Sequence, residues 1–281
     1  MQEKFFSIIV VALNPGEKLK KTLESIVGQT FADYEVILKD GGSRDRSLEE
    51  LENNGFLARY PQIRVVREAD KGIYDAMNQA VRLAAGRYIQ FLNCGDYLYN
   101  ENVLEQVADY IRAAENIGKK AGIYYGNQYN RLQKAEVHSA PEINDFTCYR
   151  NVPCHQVCFY AGELFQERGY KTEYWVRADY EHFLYCIYEK KQKAVFLPLL
   201  IASYEGGGFS ETAENRRRSA KEHREITLRY LGAKKVCRYR LIMWLTLAPL
   251  RGILAERPAF SGIYNKVKMG IYRLFAKKVK D

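Results

Sequence analysis

The chain predicts an α/β protein with a mostly parallel central sheet flanked by helices and a helical basic extension at the carboxyl end. Three observations predict this. Short β-branched or aromatic runs alternate with stretches of helical spacing through the first hundred residues. Acidic residues fall where those runs end, and positive charge is concentrated in the last quarter of the chain.

The first strand is read from Phe5-Phe6-Ser7-Ile8-Ile9-Val10-Val11-Ala12, and further strands from Tyr34–Leu38, Ile63–Val66 and Arg87–Leu92. Between the first two, Leu19, Leu23, Ile26 and Val27 fall at i, i+4, i+7 and i+8, the apolar stripe of an amphipathic helix. Ile73, Met77, Ala80, Val81 and Ala84 repeat similar spacing in a later interval. Strand, helix, strand in alternation is the βαβ unit, whose right-handed crossover makes neighbouring strands parallel. Further on, Val157–Tyr160 and the apolar stretch from Ala194 to Tyr204 read as strands, and Phe183, Leu184 and Ile187 follow helical spacing.

Ligands of open α/β sheets bind in the crevice beyond the carboxyl ends of the strands. Asn14, Asp40, the stretch Glu68–Lys71 and the stretch Asn93–Asp96 all fall at such ends. An Asp-Gly-Gly after a strand is by itself ordinary turn chemistry, so the weight lies in their joint placement on one edge.

Several of these pieces resemble the family 2 glycosyltransferases, which have the Rossmann-like GT-A fold. The resemblance covers about the first 210 residues. Ser7–Asn14 is similar to the family's opening strand, Leu23–Thr30 to the helix end that follows, and Tyr34–Ser43 to the second strand with its uracil-contacting aspartate, here Asp40. Asp70-Lys71-Gly72-Ile73-Tyr74-Asp75-Ala76-Met77-Asn78 resembles a subgroup associated with bacterial polysaccharide assembly of the colanic-acid type. Arg177-Ala178-Asp179-Tyr180-Glu181 falls where the family keeps its catalytic aspartate. The resemblance implies an inverting transfer of a sugar from a nucleotide diphosphate, with a UDP-sugar favoured, to a glycan or lipid-linked acceptor. It places Asn14, Asp40, Asp70, Lys71, Asn78 and Asn93 on the donor, and His155, Gln156, Gly207 and Gly208 near the acceptor or diphosphate.

The sequence departs from the family pattern twice. Asp40 stands alone before its glycines where many members have two aspartates, and the metal-binding Asp-x-Asp is replaced by Asn93-Cys94-Gly95 with Asp96 one position later. Diphosphate departure needs its developing charge neutralised, commonly by a divalent cation with hard oxygen ligands. Asp96, helped by the Asn93 carbonyl, is the expected ligand for Mg²⁺ or Mn²⁺; with a weakly held metal, cationic groups such as Lys71 share that load. The attacking hydroxyl must also lose a proton, and Asp179 is the expected general base.

Composition bounds the remaining possibilities. Residues 215–281 carry 18 Lys/Arg against 4 Asp/Glu, a balance of +14, while residues 1–214 carry 25 against 30, a balance of −5. The expected division is therefore a catalytic domain over 1–214 and a basic amphipathic segment over 215–281. Leu241–Leu250 is too short to span a bilayer, and with Arg238, Arg240 and Arg251 beside it suits the membrane interface. Ile263, Val267, Ile271, Leu274 and Phe275 among lysines read as a second such helix. The expectation is peripheral attachment to the anionic inner face of the cell membrane; packing on the catalytic domain or in an oligomer is the alternative. Six irregularly spaced cysteines and a strand that begins almost at Met1 indicate a reduced cytoplasmic protein without a leader.

Two other functions fit parts of the pattern. A sugar-phosphate nucleotidyltransferase would need a Gly-rich basic loop after the first strand, of which Asn14-Pro15-Gly16-Glu17-Lys18 is a thin version. A basic binder of membrane or nucleic acid would use only the tail; its basic residues interleave with apolar helical stripes, which favours lipid, and no nucleic-acid partner is expected.

Overall fold

The structure, a computed structural model, describes residues 4–206, 212–245 and Gly270. The chain begins with β1 (Lys4–Ala12), α1 (Lys18–Val27), β2 (Tyr34–Asp40), α2 (Ser47–Asn53), α3 (Phe56–Arg59), β3 (Ile63–Arg67), α4 (Ile73–Val81) and β4 (Gly86–Phe91). It continues with β5 (Tyr97–Leu98), α5 (Val103–Asn116), β6 (Ile123–Asn130), β7 (Ala135–Val137), α6 (Asp145–Arg150), β8 (Cys158–Ala161), α7 (Glu163–Glu167), α8 (Ala178–Tyr188), β9 (Ala194–Tyr204) and α9 (Ala213–Leu245).

All but one strand lie in the order β3-β2-β1-β4-β8-β6-β9-β5, and β7 pairs off that path with β6. β1 runs parallel to both β2 and β4, and its residues from Phe5 to Ala12 are all buried. Burial on both faces explains why this strand reads as a continuous apolar run. α1 turns Leu19, Leu23 and Ile26 into the core, and α4 does the same with Tyr74, Met77, Ala80 and Val81. The α/β architecture expected from the alternation is therefore present, with most of the paired length parallel.

The second half of the sheet is mixed. β8 runs antiparallel to β4 and β6, and β5 runs antiparallel to β9. This reversal matters for the site. Because β8 points the other way, its amino-terminal approach reaches the edge where β1 and β4 have their carboxyl ends. The register of β6 against β9 jumps between Tyr125/Phe196 and Asn127/Leu200. Pro198 lies in that interval; it has no N–H for the ladder, which suits it to an irregularity.

One helix runs across the expected division at residue 215. α9 starts at Ala213 and buries Glu222, Ile226, Thr227 and Leu231 against the body. Gly232 breaks it with φ 77°, a left-handed conformation that a side chain would strain. Beyond the break, Leu241, Trp244 and Leu245 are exposed. Half of Leu241–Leu250 and all five apolar positions of the second expected amphipathic helix lie outside the described residues. Among the described residues no helix is long and apolar enough to cross a membrane.

Candidate active site

At the outer edge of the parallel half, Asp40 closes β2 and turns its carboxylate onto its own loop. It accepts from the N–H groups of Gly42 at 3.3 Å and Ser43 at 3.2 Å, and from the Ser43 hydroxyl. Beside it opens a cleft of about 530 Å³, lined by Asp40, Ser43, Arg46, Arg67 and Glu68 among others. Asn14, at φ 47°, ties the β1 loop to this one: its N–H donates to the Ser43 hydroxyl at 2.8 Å and its side-chain oxygen accepts from Arg44 N–H at 2.8 Å.

Beneath the edge lies Lys39, which sequence reasoning missed. Its side chain is fully buried, and its ammonium donates to the carbonyls of Asp40 at 3.1 Å and Glu68, and to Asp70 Oδ2 at 3.2 Å. The signal available was a lone cation continuing an apolar strand. Asp70 also accepts from Gly72 N–H at 3.1 Å, so the Asp70 loop is pinned against β2. A Cβ on Gly41 would stand 2.4 Å from Asp70 Oδ2, so the close approach of the two loops requires glycine there. Lys71 is exposed, and its N–H donates to Asp75.

A second cleft of about 360 Å³ sits at the ends of β1 and β4. Asn93, Asp96, His155, Gln156 and Asp179, five residues expected at the site, all line it. The antiparallel approach of β8 brings in His155 and Gln156 through a 3-10 turn over His155–Val157. Cys154 precedes that turn and Cys158 opens β8 after it.

Asp179 stands in the first turn of α8 with its carboxylate held on both oxygens. Oδ1 lies 2.8 Å from the Tyr74 hydroxyl and accepts from Tyr180 N–H at 2.8 Å, and Oδ2 lies 2.9 Å from His155 Nδ1. Burial pushes the carboxyl's pKa up, but the His155 hydrogen bond and charge, with the Tyr74 and Tyr180 contacts, outweigh it and hold the group below its ordinary value. The Tyr74 hydroxyl also lies 2.8 Å from the Val176 carbonyl, and burial pushes its pKa well up, so it stays a proton donor. On the other side of the ring, His155 Nε2 is buried without a hydrogen-bond partner, as is Asn93 Oδ1.

Asp96 was the expected metal ligand, and its geometry differs from that. Its Oδ1 accepts from Glu205 N–H at 2.8 Å, and its Oδ2 from the Gln156 amide. Burial pushes its pKa up to about 6, against the Glu205 N–H and the His155 and Arg131 charges. Arg131, stacked 4.1 Å from the Tyr97 ring centroid, fixes this turn by donating to the carbonyls of Gly95 and Ser203. Among the described residues no group of three or more His, Cys, Asp or Glu side chains is placed to hold a metal. Each Asp96 oxygen accepts one protein hydrogen bond and Asn93 Oδ1 accepts none, so these two side chains could supply only part of the oxygen shell of a divalent cation.

Asn78 is a second difference from expectation. Its Nδ2 donates to the Tyr170 carbonyl at 2.8 Å and its Oδ1 accepts from Tyr170 N–H at 2.7 Å, so it clamps α4 to the Tyr170 loop. One Nδ2 proton and one Oδ1 lone pair remain beyond this clamp. Gly207 and Gly208 lie outside the described residues, while Gly206 lines the cleft.

No local signal marked Glu222. Buried on α9, it accepts from the N–H groups of Trp175, Val176 and Arg177 at 2.9, 3.0 and 2.9 Å, with Arg218 Nε at 3.1 Å. These three amides are the approach to α8. The long helix therefore braces the loop that presents Asp179.

Residues 7–169 match the model of glycosyl transferase family 2. The chain belongs to that family. A PGL/p-HBAD biosynthesis glycosyltransferase of Mycobacterium bovis is 34% identical over 215 residues, covering 75% of this chain and 81% of the relative. Chondroitin synthase of Escherichia coli is 38% identical over 92 residues, covering 33% of this chain and 13% of the synthase. Among solved structures, S. aureus TarS 1–349 in complex with UDP superposes with a TM-score of 0.62 at 18% identity, covering 81% of this chain and 70% of that one. This chain spans 36% of the longer TarS structure. The mannosyltransferase PcManGT of Pyrobaculum calidifontis, in complex with GDP-Man and Mn²⁺, gives a TM-score of 0.58 at 16% identity, covering all of this chain and 87% of that one. These structures share the GT-A-like architecture, and the family membership makes the chain a glycosyltransferase; the relatives named here include mycobacterial enzymes and not specifically colanic-acid ones.

Proposed function

We propose that the protein transfers a sugar with inversion from a nucleotide diphosphate sugar, a UDP-sugar by preference, to a hydroxyl of a glycan or lipid-linked acceptor in cell-surface polysaccharide or glycolipid assembly. The observation that carries this reading is the presence of two clefts at the carboxyl ends of the parallel strands, one lined by Asp40 and the other by Asp179. The UDP complex of TarS supports the donor class, and the mycobacterial PGL/p-HBAD biosynthesis glycosyltransferase supports transfer of a sugar in a biosynthetic assembly. Asp179 supplies the basic charge that draws the acceptor's proton, and its depressed pKa keeps it ionised for that role.

A divalent cation, Mg²⁺ or Mn²⁺, would draw only part of its oxygen shell from Asp96 and Asn93, so the diphosphate would carry most of its ligands. We assign residues 1–214 to catalysis. The basic segment 215–281 is assigned to peripheral contact with an anionic membrane surface, beginning where Leu241, Trp244 and Leu245 are exposed beside Arg238 and Arg240. The test is a thermal-shift panel of UDP, GDP and dTDP with their sugars, with and without Mg²⁺ or Mn²⁺. Stabilisation by UDP compounds is the expected result, and failure of every nucleotide to stabilise the protein would overturn the reading.

A further inference from the structure

We infer that Lys18 is the side chain that takes the donor's diphosphate, and that Glu205 is the carboxylate it leaves to do so. The inference rests on the glycosyltransferase reading and names the fixed cation of that site. Among the described residues, the lining of the transfer cleft includes three carboxylates, Asp96, Asp179 and Glu205, and a single lysine or arginine, Lys18. A diphosphate entering that cleft adds further negative charge, which is costly away from bulk water unless a cation meets it. The other cations near the sheet edge are placed differently. Lys39 is buried on Asp40, Glu68 and Asp70, Arg131 donates to the carbonyls of Gly95 and Ser203, and Lys71 is exposed and lines neither cleft.

Lys18 is held in the site by contacts from two directions. It opens α1, the end of a helix where the macrodipole disfavours a cation and favours an anion. Its ammonium donates to Glu205 Oε2 at 2.7 Å, and Glu205 N–H donates to Asp96 Oδ1 at 2.8 Å. One turn along the same face of α1, the Thr22 hydroxyl accepts from Gly95 N–H at 2.9 Å. The ion pair therefore lies against the Asn93–Asp96 turn. A Cβ on Gly95, at φ 99°, would stand 2.9 Å from Glu205 Oε2 and 3.3 Å from Lys18 Cδ.

The pair is readily exchanged. Its side chains are 55% and 44% exposed, and an ion pair so open to water contributes little to stability, so a structural tie between α1 and the end of β9 is a weak account of it. A diphosphate offers the ammonium more negative charge than one carboxylate does, and the flexible four-carbon stem lets Nζ turn to it without moving the backbone. In transfer, the acceptor oxygen bonds the anomeric carbon as its proton passes to Asp179, and the diphosphate leaves with the electron pair of the broken carbon–oxygen bond. Lys18 meets the charge that develops there.

Titration calorimetry of the full chain with UDP, or with GDP if that is the diphosphate that raises the melting temperature, tests this in about 0.15 M salt. Lys18→Met is expected to melt as the unaltered protein does in the absence of nucleotide and to bind the diphosphate about 10- to 100-fold more weakly, through loss of a charge-assisted bond. Glu205→Gln removes the competing carboxylate and is expected to tighten binding about two- to fivefold. A tie that only held α1 to β9 would move both variants in the same direction. Lys20→Met takes the same charge from the neighbouring turn position, where Lys20 pairs with Glu24, and is expected to change binding by less than about twofold at this salt. Undiminished binding by Lys18→Met, no tightening by Glu205→Gln, or an equal loss in Lys20→Met overturns the inference. Failure of the unaltered protein to bind any nucleotide instead overturns the functional reading beneath it.

Discussion

The edge around Asp40, proposed as the donor edge, and the cleft around Asp179, proposed as the transfer centre, use the same chemical groups in opposite ways. At the donor edge, Asp40, Lys39 and Asp70 close their hydrogen bonds within the protein, on neighbouring loop amides and on one another. At the transfer centre, His155 Nε2 and Asn93 Oδ1 are left buried without partners. The first arrangement is a self-supporting scaffold whose polar groups hold two loops at a fixed separation. The second leaves valences for a substrate to fill and places the stabilising contacts one layer back, through Tyr74, Gln156 and Glu222.

That contrast is open to breaking by substitution, beginning with the largest expected effect. Asp179→Asn should lower transfer by about 10²- to 10⁴-fold, since the acceptor hydroxyl loses its general base. The thermal shift given by UDP should survive, because the donor edge does not use this residue; loss of that shift would mean that the two regions are not separable. Lys39→Met should act in the reverse sense. It strips Asp70 of its buried cation, and breaking such a pair costs about 3–5 kcal/mol, readable as a lower urea midpoint together with a lost UDP shift.

Glu222→Gln sharpens the comparison from the rear. Three backbone donors at 175–177 then share a neutral acceptor, and a loss of about 1–3 kcal/mol in unfolding free energy is expected, with slower transfer and an intact UDP shift. The smallest effect is a pH dependence beneath α8. His182 is fully buried and stacked 4.2 Å from Phe165, and burial, then the Arg168 charge, push its pKa down to about 3. Only the unfolded chain binds its proton between about pH 6.5 and 3, so stability falls as pH drops through that window, by at most about 1.4 kcal/mol per unit. His182→Phe should remove that component of the acid slope, seen as the difference between the two melting curves across the window. An unchanged slope would place the acid sensitivity elsewhere.

The gathering of Asp40, Asp70 and Asn93 at one sheet edge was legible in the sequence because parallel βαβ order carries consecutive strand ends to one side. Asp40, Asp70 and Asn93 are each within a few residues of a strand that reads plainly as apolar. Asn78 shows where local reading ends: it shares a motif with Asp70 and Lys71, yet helix geometry turns it toward Tyr170. Asp96 shows the same limit, since nothing near it in sequence announces Gln156 or Glu205 as its partners.

The sequence by itself determined the alternation that builds a buried parallel sheet, the turn chemistry at its edge and the separation of charge between body and tail, because hydrophobic periodicity and local backbone preferences act over a few residues. Only the tertiary structure decided the transfer centre. The reversal of β8 sets His155 against an aspartate 24 residues away, and α9 sends Glu222 back to brace the loop before it. Those contacts depend on which strand ends meet and which way they run. That is settled by the packing of the whole sheet, and no short window of sequence contains it.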